Sequence, residues 1–180
     1  MSKSIKKYSA ALLFLMIYCC SLSAGSLSKE YQIKSAILIK LTKFVFWDNL
    51  SGSTSPINFC LLQPEPFGLY IDEVAKQDSL VSKSHPLMIL RVDNGDDISH
   101  CHVLFMPKKS LLLKGIHARD TVFITEGRST IDSDNHINLY TNNGQIKFEI
   151  NIDNIRRDKI KMRAQLLSVA TIVKNTGTKP

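Results

Sequence analysis

Ile57-Asn58-Phe59-Cys60-Leu61-Leu62-Gln63-Pro64-Glu65-Pro66-Phe67-Gly68 joins a nearly continuous apolar run to a double-proline break. Such a run is what a strand covered on both faces requires. Pro64 and Pro66 end it, and Phe67 to Ala75 then has the residues of a helix. A buried strand leading into a helix is the repeating unit of an α/β sandwich.

The pattern recurs along the chain. Leu87 to Val92 after Pro86, His102 to Met106 before Pro107, and Thr121 to Thr125 read as further buried strands. Ser110 to Gly115 reads as a short helix, and Asp93-Asn94-Gly95-Asp96-Asp97 as a solvated turn. Ile137 to Tyr140 and Ile146 to Ile150 alternate about Asn143-Gly144, which predicts a β-hairpin. Upstream, Lys29 to Trp47 has helical periodicity. Ile33, Ile37, Leu41, Phe44 and Val45 form its apolar side, with Lys29, Gln32, Lys40 and Lys43 opposite. At the other end, Met162 to Lys174 places Met162, Leu166, Val169 and Val173 on one helical face. The expected fold is a single α/β domain. It has a mostly parallel central sheet, helices on its faces, and a C-terminal hairpin followed by a helix.

The first residues read as an export signal. Lys3, Lys6 and Lys7 precede an unbroken apolar stretch from Ala10 to Cys20, and Ser21-Leu22-Ser23-Ala24-Gly25 follows. The stretch is shorter than the ~18–20 residues that span a bilayer. Residues 1–24 are therefore expected to be a cleaved signal peptide, with a single domain over 25–180 and a loose tail from 175 to 180. Cleavage removes Cys19 and Cys20 and leaves Cys60 and Cys101, which meet an oxidising compartment and are expected to form a disulfide. Closing that loop of about forty residues is worth ~4 kcal/mol by chain-entropy accounting. The bond reads either as a staple or as a redox-sensitive latch, depending on its exposure and strain.

Removing the three signal lysines from a formal charge of +7 leaves a mild +4. Arg156, Arg157, Lys159, Lys161 and Arg163 cluster, but without interleaved aromatics and with Asp153 and Asp158 among them. They read as a solvated surface around a helix start, not as a nucleic-acid or lipid footprint. His100-Cys101-His102 cannot converge on one metal ion, because neighbours on a strand point to opposite faces. His85, His117 and His136 stand beside turns and are expected to be exposed. No nucleophile–base pair, Gly-rich phosphate loop or cofactor motif is present, so an enzyme is disfavoured and no cofactor is expected.

Several segments, in this order, resemble the YfiR/HmsC family of periplasmic regulators. They are Tyr31-x-Ile33-Lys34-x-Ala36 with Lys43-Phe44-Val45-x-Trp47, and Ile57-x-Phe59-Cys60-Leu61-Leu62 with Pro66-Phe67-Gly68. Cys101-His102-Val103-Leu104-Phe105, Ile146-Lys147-Phe148-Glu149-Ile150-Asn151 and Leu166-Leu167-x-Val169-Ala170 complete the set. The resemblance implies an exported protein that binds the periplasmic part of a membrane diguanylate cyclase and holds it inactive. Release then raises cyclic di-GMP and favours biofilm formation. It also implies that the cysteines matching Cys60 and Cys101 are bonded, and it allows a homodimer. Three departures stand out: Phe46 and Asp48 replace a Glu-Pro around Trp47, Asp134-Asn135 replaces a Gly-Gly, and a second disulfide found in some members is missing.

The polar face of the last hairpin strand, with Glu149 and Asn151, and the following Ile155 are the expected partner contacts. The alternative for these residues is an ordinary solvated sheet edge. A different class of function, a periplasmic sensor that takes a small molecule in a sheet-end crevice, also fits the predicted fold.

Overall fold

The computed structural model describes residues 27–81, 85–107, 120–127 and 134–175. The expected signal peptide, the helix expected over Ser110 to Gly115, and His117 lie outside them. The elements in chain order are α1 (Lys29–Leu41), β1 (Val45–Phe46), β2 (Ile57–Leu62), α2 (Tyr70–Val81), β3 (Leu87–Val92), β4 (Val103–Met106) and β5 (Val122–Glu126). Then follow β6 (Ile137–Asn142), β7 (Gln145–Asn151), α3 (Ile152–Arg157), β8 (Lys161–Met162), α4 (Ala164–Val169) and β9 (Thr171–Val173).

Seven strands form the central sheet in the order β3-β2-β4-β5-β6-β7-β9. β3, β2, β4, β5 and β6 run parallel, β7 returns antiparallel to β6, and β9 runs parallel to β7. The fold is the expected α/β domain with a mostly parallel sheet and a C-terminal hairpin. Alternate residues of β2 and β4 serve two separate cores. Phe59, Leu61, Val103 and Phe105 join Leu38, Ile39, Phe67 and Ile71 on the face covered by α1 and α2. Cys60, Leu104 and Met106 join Val92, Cys101 and Phe123 on the other. This burial on both faces is why these strands read as apolar runs.

α1 begins where the Ser28 hydroxyl accepts the Tyr31 N–H, an N-cap, and carries Glu30 in its first turn. It ends at Leu41, earlier than the periodicity to Trp47 suggests. Thr42–Phe44 tightens into a 3-10 turn, and Val45 is extended. Trp47 folds back so that its indole N–H donates to the Thr42 carbonyl at 3.0 Å, beside the Val45 N–H that also bonds it. The buried face is also rotated from the expected one. Lys34, Ser35, Leu38 and Ile39 are buried, and Ile33 is exposed. Lys34 has a partner inside, which is why a cation can take the core side.

The second correction concerns the C-terminal run. Met162 to Lys174 is not one helix. Met162 belongs to β8, paired with β1, α4 stops at Val169, and Thr171–Val173 adds β9 to the hairpin's outer strand. Leu166 is buried, but Val169 is exposed. The helix expected from Phe67 lies later, over Tyr70–Val81. Asn175, expected in the tail, is fixed: its N–H donates to Asp153, and its amide bonds Asn151 and Asn154. The basic cluster spans the end of α3 and the start of α4.

Candidate functional site

Cys60, in the middle of β2, is bonded to Cys101, which stands just before β4, with Cα atoms 5.8 Å apart. Both residues are buried in the core that contains Leu104, Met106 and Phe123. The His100 ring lies near both sulfurs. A metal would need thiolates there, and both are consumed by the bond.

The three expected contact residues sit in different environments. Glu149 is half-buried and accepts from the Asn138 amide at 3.4 Å. Asn151 is fully buried, its carbonyl oxygen capping α3 by accepting the Asp153 and Asn154 N–H groups. Ile155 is buried in the main core. The strand carrying Glu149 and Asn151 is not a sheet edge, because β9 pairs with it, Glu149 opposite Thr171 and Asn151 opposite Val173. The three β-branched residues Thr171, Ile172 and Val173 were the sequence signal for that strand.

A second surface is built around β1 and β8. These short strands pair antiparallel, Val45 with Met162 and Phe46 with Lys161, and the Arg163 N–H donates to the Phe44 carbonyl at 2.8 Å. Phe46 is 48% exposed, and the Arg163 guanidinium lies 5.1 Å from its ring centre. Lys161 pairs with Asp48. A groove of about 410 Å³ runs beneath, walled by Phe46, Trp47, Ile57 and Leu87, with Arg163 and the Lys43–Asp78 ion pair at its rim. Ile57 and Leu87 open β2 and β3, so this groove lies at the amino ends of the parallel strands. The expected crevice belongs at the carboxyl ends.

Two histidines underlie this ribbon, and neither is free. His102 accepts the Asn58 N–H on Nδ1 at 3.0 Å, and its ring stands edge-on to Trp47 with centroids 5.8 Å apart. His136, expected at the surface, is buried. Its Nδ1 accepts the Phe123 N–H at 2.9 Å, and its Nε2 lies 2.8 Å from the Asp158 carboxylate. A backbone N–H can only donate, so each ring must be neutral at Nδ1, and His136 donates through Nε2. Burial pushes both histidines below their usual range, against the pull of Asp120 on His102 and of Asp158 on His136. Hydrogen bonds from His136 and Arg157 hold Asp158 far below the usual carboxylate range.

At the opposite end of α1, Lys34 lies between Glu30, one turn earlier, and Glu126, at the carboxyl end of β5. Burial opposes its charge, but hydrogen bonds to Glu126 and Glu30 outweigh it and hold the ammonium above its usual range. Thr141 donates to the same Glu30 carboxylate at 2.6 Å and ties β6 into the cluster. Nothing in the patterns of apolar residues marked Lys34 or His136, because polar side chains are ordinarily outside.

Among the described residues no helix is long and apolar enough to cross a membrane. A family model described as YfiR/HmsC-like matches residues 31–171. No curated protein matches the chain in sequence.

Proposed function

The chain belongs to the YfiR/HmsC-like family, whose members are periplasmic regulators of diguanylate cyclases, and from that premise we propose that it binds the periplasmic part of a membrane diguanylate cyclase and holds the enzyme inactive. The family match across residues 31–171 carries this reading. The buried Cys60–Cys101 disulfide supports the compartment, since such bonds persist where the surroundings oxidise. Residues 1–24 are the export signal in this reading. The regulator acts by population shift, favouring the inactive cyclase only as far as it binds that state more tightly.

The surface offered to the cyclase is the β1–β8 ribbon. An exposed aromatic beside an arginine is the kind of anchor that dominates protein interfaces, and Phe46 with Arg163 provides one. Arg156, Lys159 and Lys161 are also exposed nearby, so the matching face of the partner is acidic. Glu149, half-buried on β7, is a second contact on the hairpin side.

The test is cyclic di-GMP in the native host with and without the gene. Deletion should raise it, and complementation should restore the lower level. An unchanged level in cells that express the protein sinks the reading. The 410 Å³ groove favours one other function, a sensor for a small apolar anion, because its size and its aromatic and arginine walls suit such a ligand. A rise in melting temperature with a metabolite, in the absence of any cyclase effect, would select it.

A further inference from the structure

His102 and His136 occupy equivalent places in the sheet. Each stands directly before a parallel strand, β4 and β6 respectively. Each donates its own N–H to a neighbouring strand's carbonyl, His102 to Asn58 and His136 to Phe123. Each then receives that same neighbour's N–H on its ring Nδ1. The imidazole thus replaces the backbone acceptor that the ladder lacks at its first rung. A proton on Nδ1 would set two N–H groups against each other at about 3 Å and break the rung.

Both rings also anchor the ribbon. His102 packs edge-on against Trp47, which follows β1. His136 holds Asp158, from which Lys159 and Ile160 lead into β8. We propose that these two histidines form an acid-sensitive clamp on the β1–β8 ribbon, which loosens as the compartment falls from about pH 6.5 toward pH 5. The regulatory half of this proposal rests on the ribbon being the partner surface.

The surrounding charges do not cancel the effect. Around His136 lie Asp158 and Arg157, with Asp134 paired to Arg157 at 3.8 Å, and the Phe123 ring stacks on the imidazole. Asp158 favours the imidazolium, but it reaches Nε2, which already carries a hydrogen. The added proton must go to Nδ1, where the Phe123 N–H points. Around His102 lie Asp120, His85 and His100. Asp120 favours a charge on His102, and His85 and His100 oppose it.

The direction of the pH effect follows from the neutral closed state. Above the usual value of 6.5 the closed and open forms are both neutral, and the clamp is at full strength. Below it the open form takes protons that the closed form refuses. The closed state therefore loses stability as pH falls from 6.5 toward the depressed folded values. Below 6.5 the open population grows at each histidine for as long as the closed ring stays neutral, by at most about tenfold per pH unit.

Amide exchange of the full mature protein tests this. Protection factors at the Phe123 and Asn58 N–H groups, corrected for intrinsic exchange, should each fall between pH 7.5 and 5.5, by at most about tenfold. In His136→Asn and His102→Asn the amide oxygen keeps an acceptor but cannot titrate, so the fall at the corresponding group should vanish. Imidazole NMR titration of the wild-type protein covers the case in which a variant does not fold, and both rings should then titrate below 6.5. Unchanged protection, an equal fall at the corresponding group in His136→Asn or His102→Asn, or a ring that titrates at 6.5 overturns the clamp. Binding of the cyclase's periplasmic domain should weaken in parallel in the wild type only. Binding that ignores pH while the amides open overturns the regulatory half. Absence of binding at every pH rejects the cyclase-binding reading on which the regulatory half rests and leaves the exchange result to decide the clamp.

Discussion

Lys34 is the residue on which α1 is seated. Its side chain is 2% exposed and its ammonium lies between the carboxylates of Glu30 and Glu126, so the helix is tied to the end of β5 by charge as well as by Leu38 and Ile39. An ion pair of this kind adds little net stability over an apolar substitute, but removing one partner leaves an uncompensated buried charge. Lys34→Ala should therefore cost about 3–5 kcal/mol in urea unfolding. Joint replacement, Lys34→Met with Glu126→Leu, should recover most of that loss. If the double variant is no better than the single, the contribution of Lys34 lies in its cationic contact with Tyr31, where its Nζ sits 4.8 Å from the ring centre.

At the scale of elements, legibility followed burial. β2, β4 and β5 were readable because both of their faces are covered and the sequence has little choice there. The hairpin was readable because Asn143 and Gly144 supply the positive φ values, 50° and 73°, that its turn requires. The last segment was not, because Met162, Leu166, Val169 and Val173 share a helical spacing by coincidence and only Leu166 is fully buried. The cysteine pair could be found by counting. His136 and Lys34 could not, since what makes them tolerable inside are partners far along the chain, Asp158 and Glu126.

The same scale separates the two contact surfaces. Phe46 is the exposed residue of β1, whose other residue, Val45, is the one in the core, so Phe46→Ser should weaken cyclase-domain binding by tenfold or more, ~1.4 kcal/mol, with little change in melting temperature. Glu149→Lys alters a half-buried residue bonded to Asn138 and should have the smaller binding effect. Titration calorimetry of both variants ranks the surfaces. A larger loss for Glu149→Lys would move the interface to the hairpin.

For the whole molecule the remaining choice is between a disulfide that staples and one that signals. The bond joins β2 to the chain entering β4, two strands already paired in parallel, so it adds no contact that the native sheet lacks. Its stabilisation comes from the unfolded chain, whose freedom it restricts across a separation of 41 residues. Cys60→Ala/Cys101→Ala should lose about 4 kcal/mol, which for a domain of this size is roughly 8–16 °C in melting temperature. Alanine suits the site better than serine, because the neighbours are Leu104, Met106 and Phe123 and burying a hydroxyl among apolar side chains is costly. The burial of both sulfurs also sets a kinetic expectation. A reductant must wait for the sheet to open, so reduction should accelerate steeply with urea below the unfolding transition and saturate with thiol concentration. A rate that is first order in thiol and indifferent to urea would mean that the bond is reached in the folded state. The disulfide would then be a latch through which redox poise acts on the regulator directly.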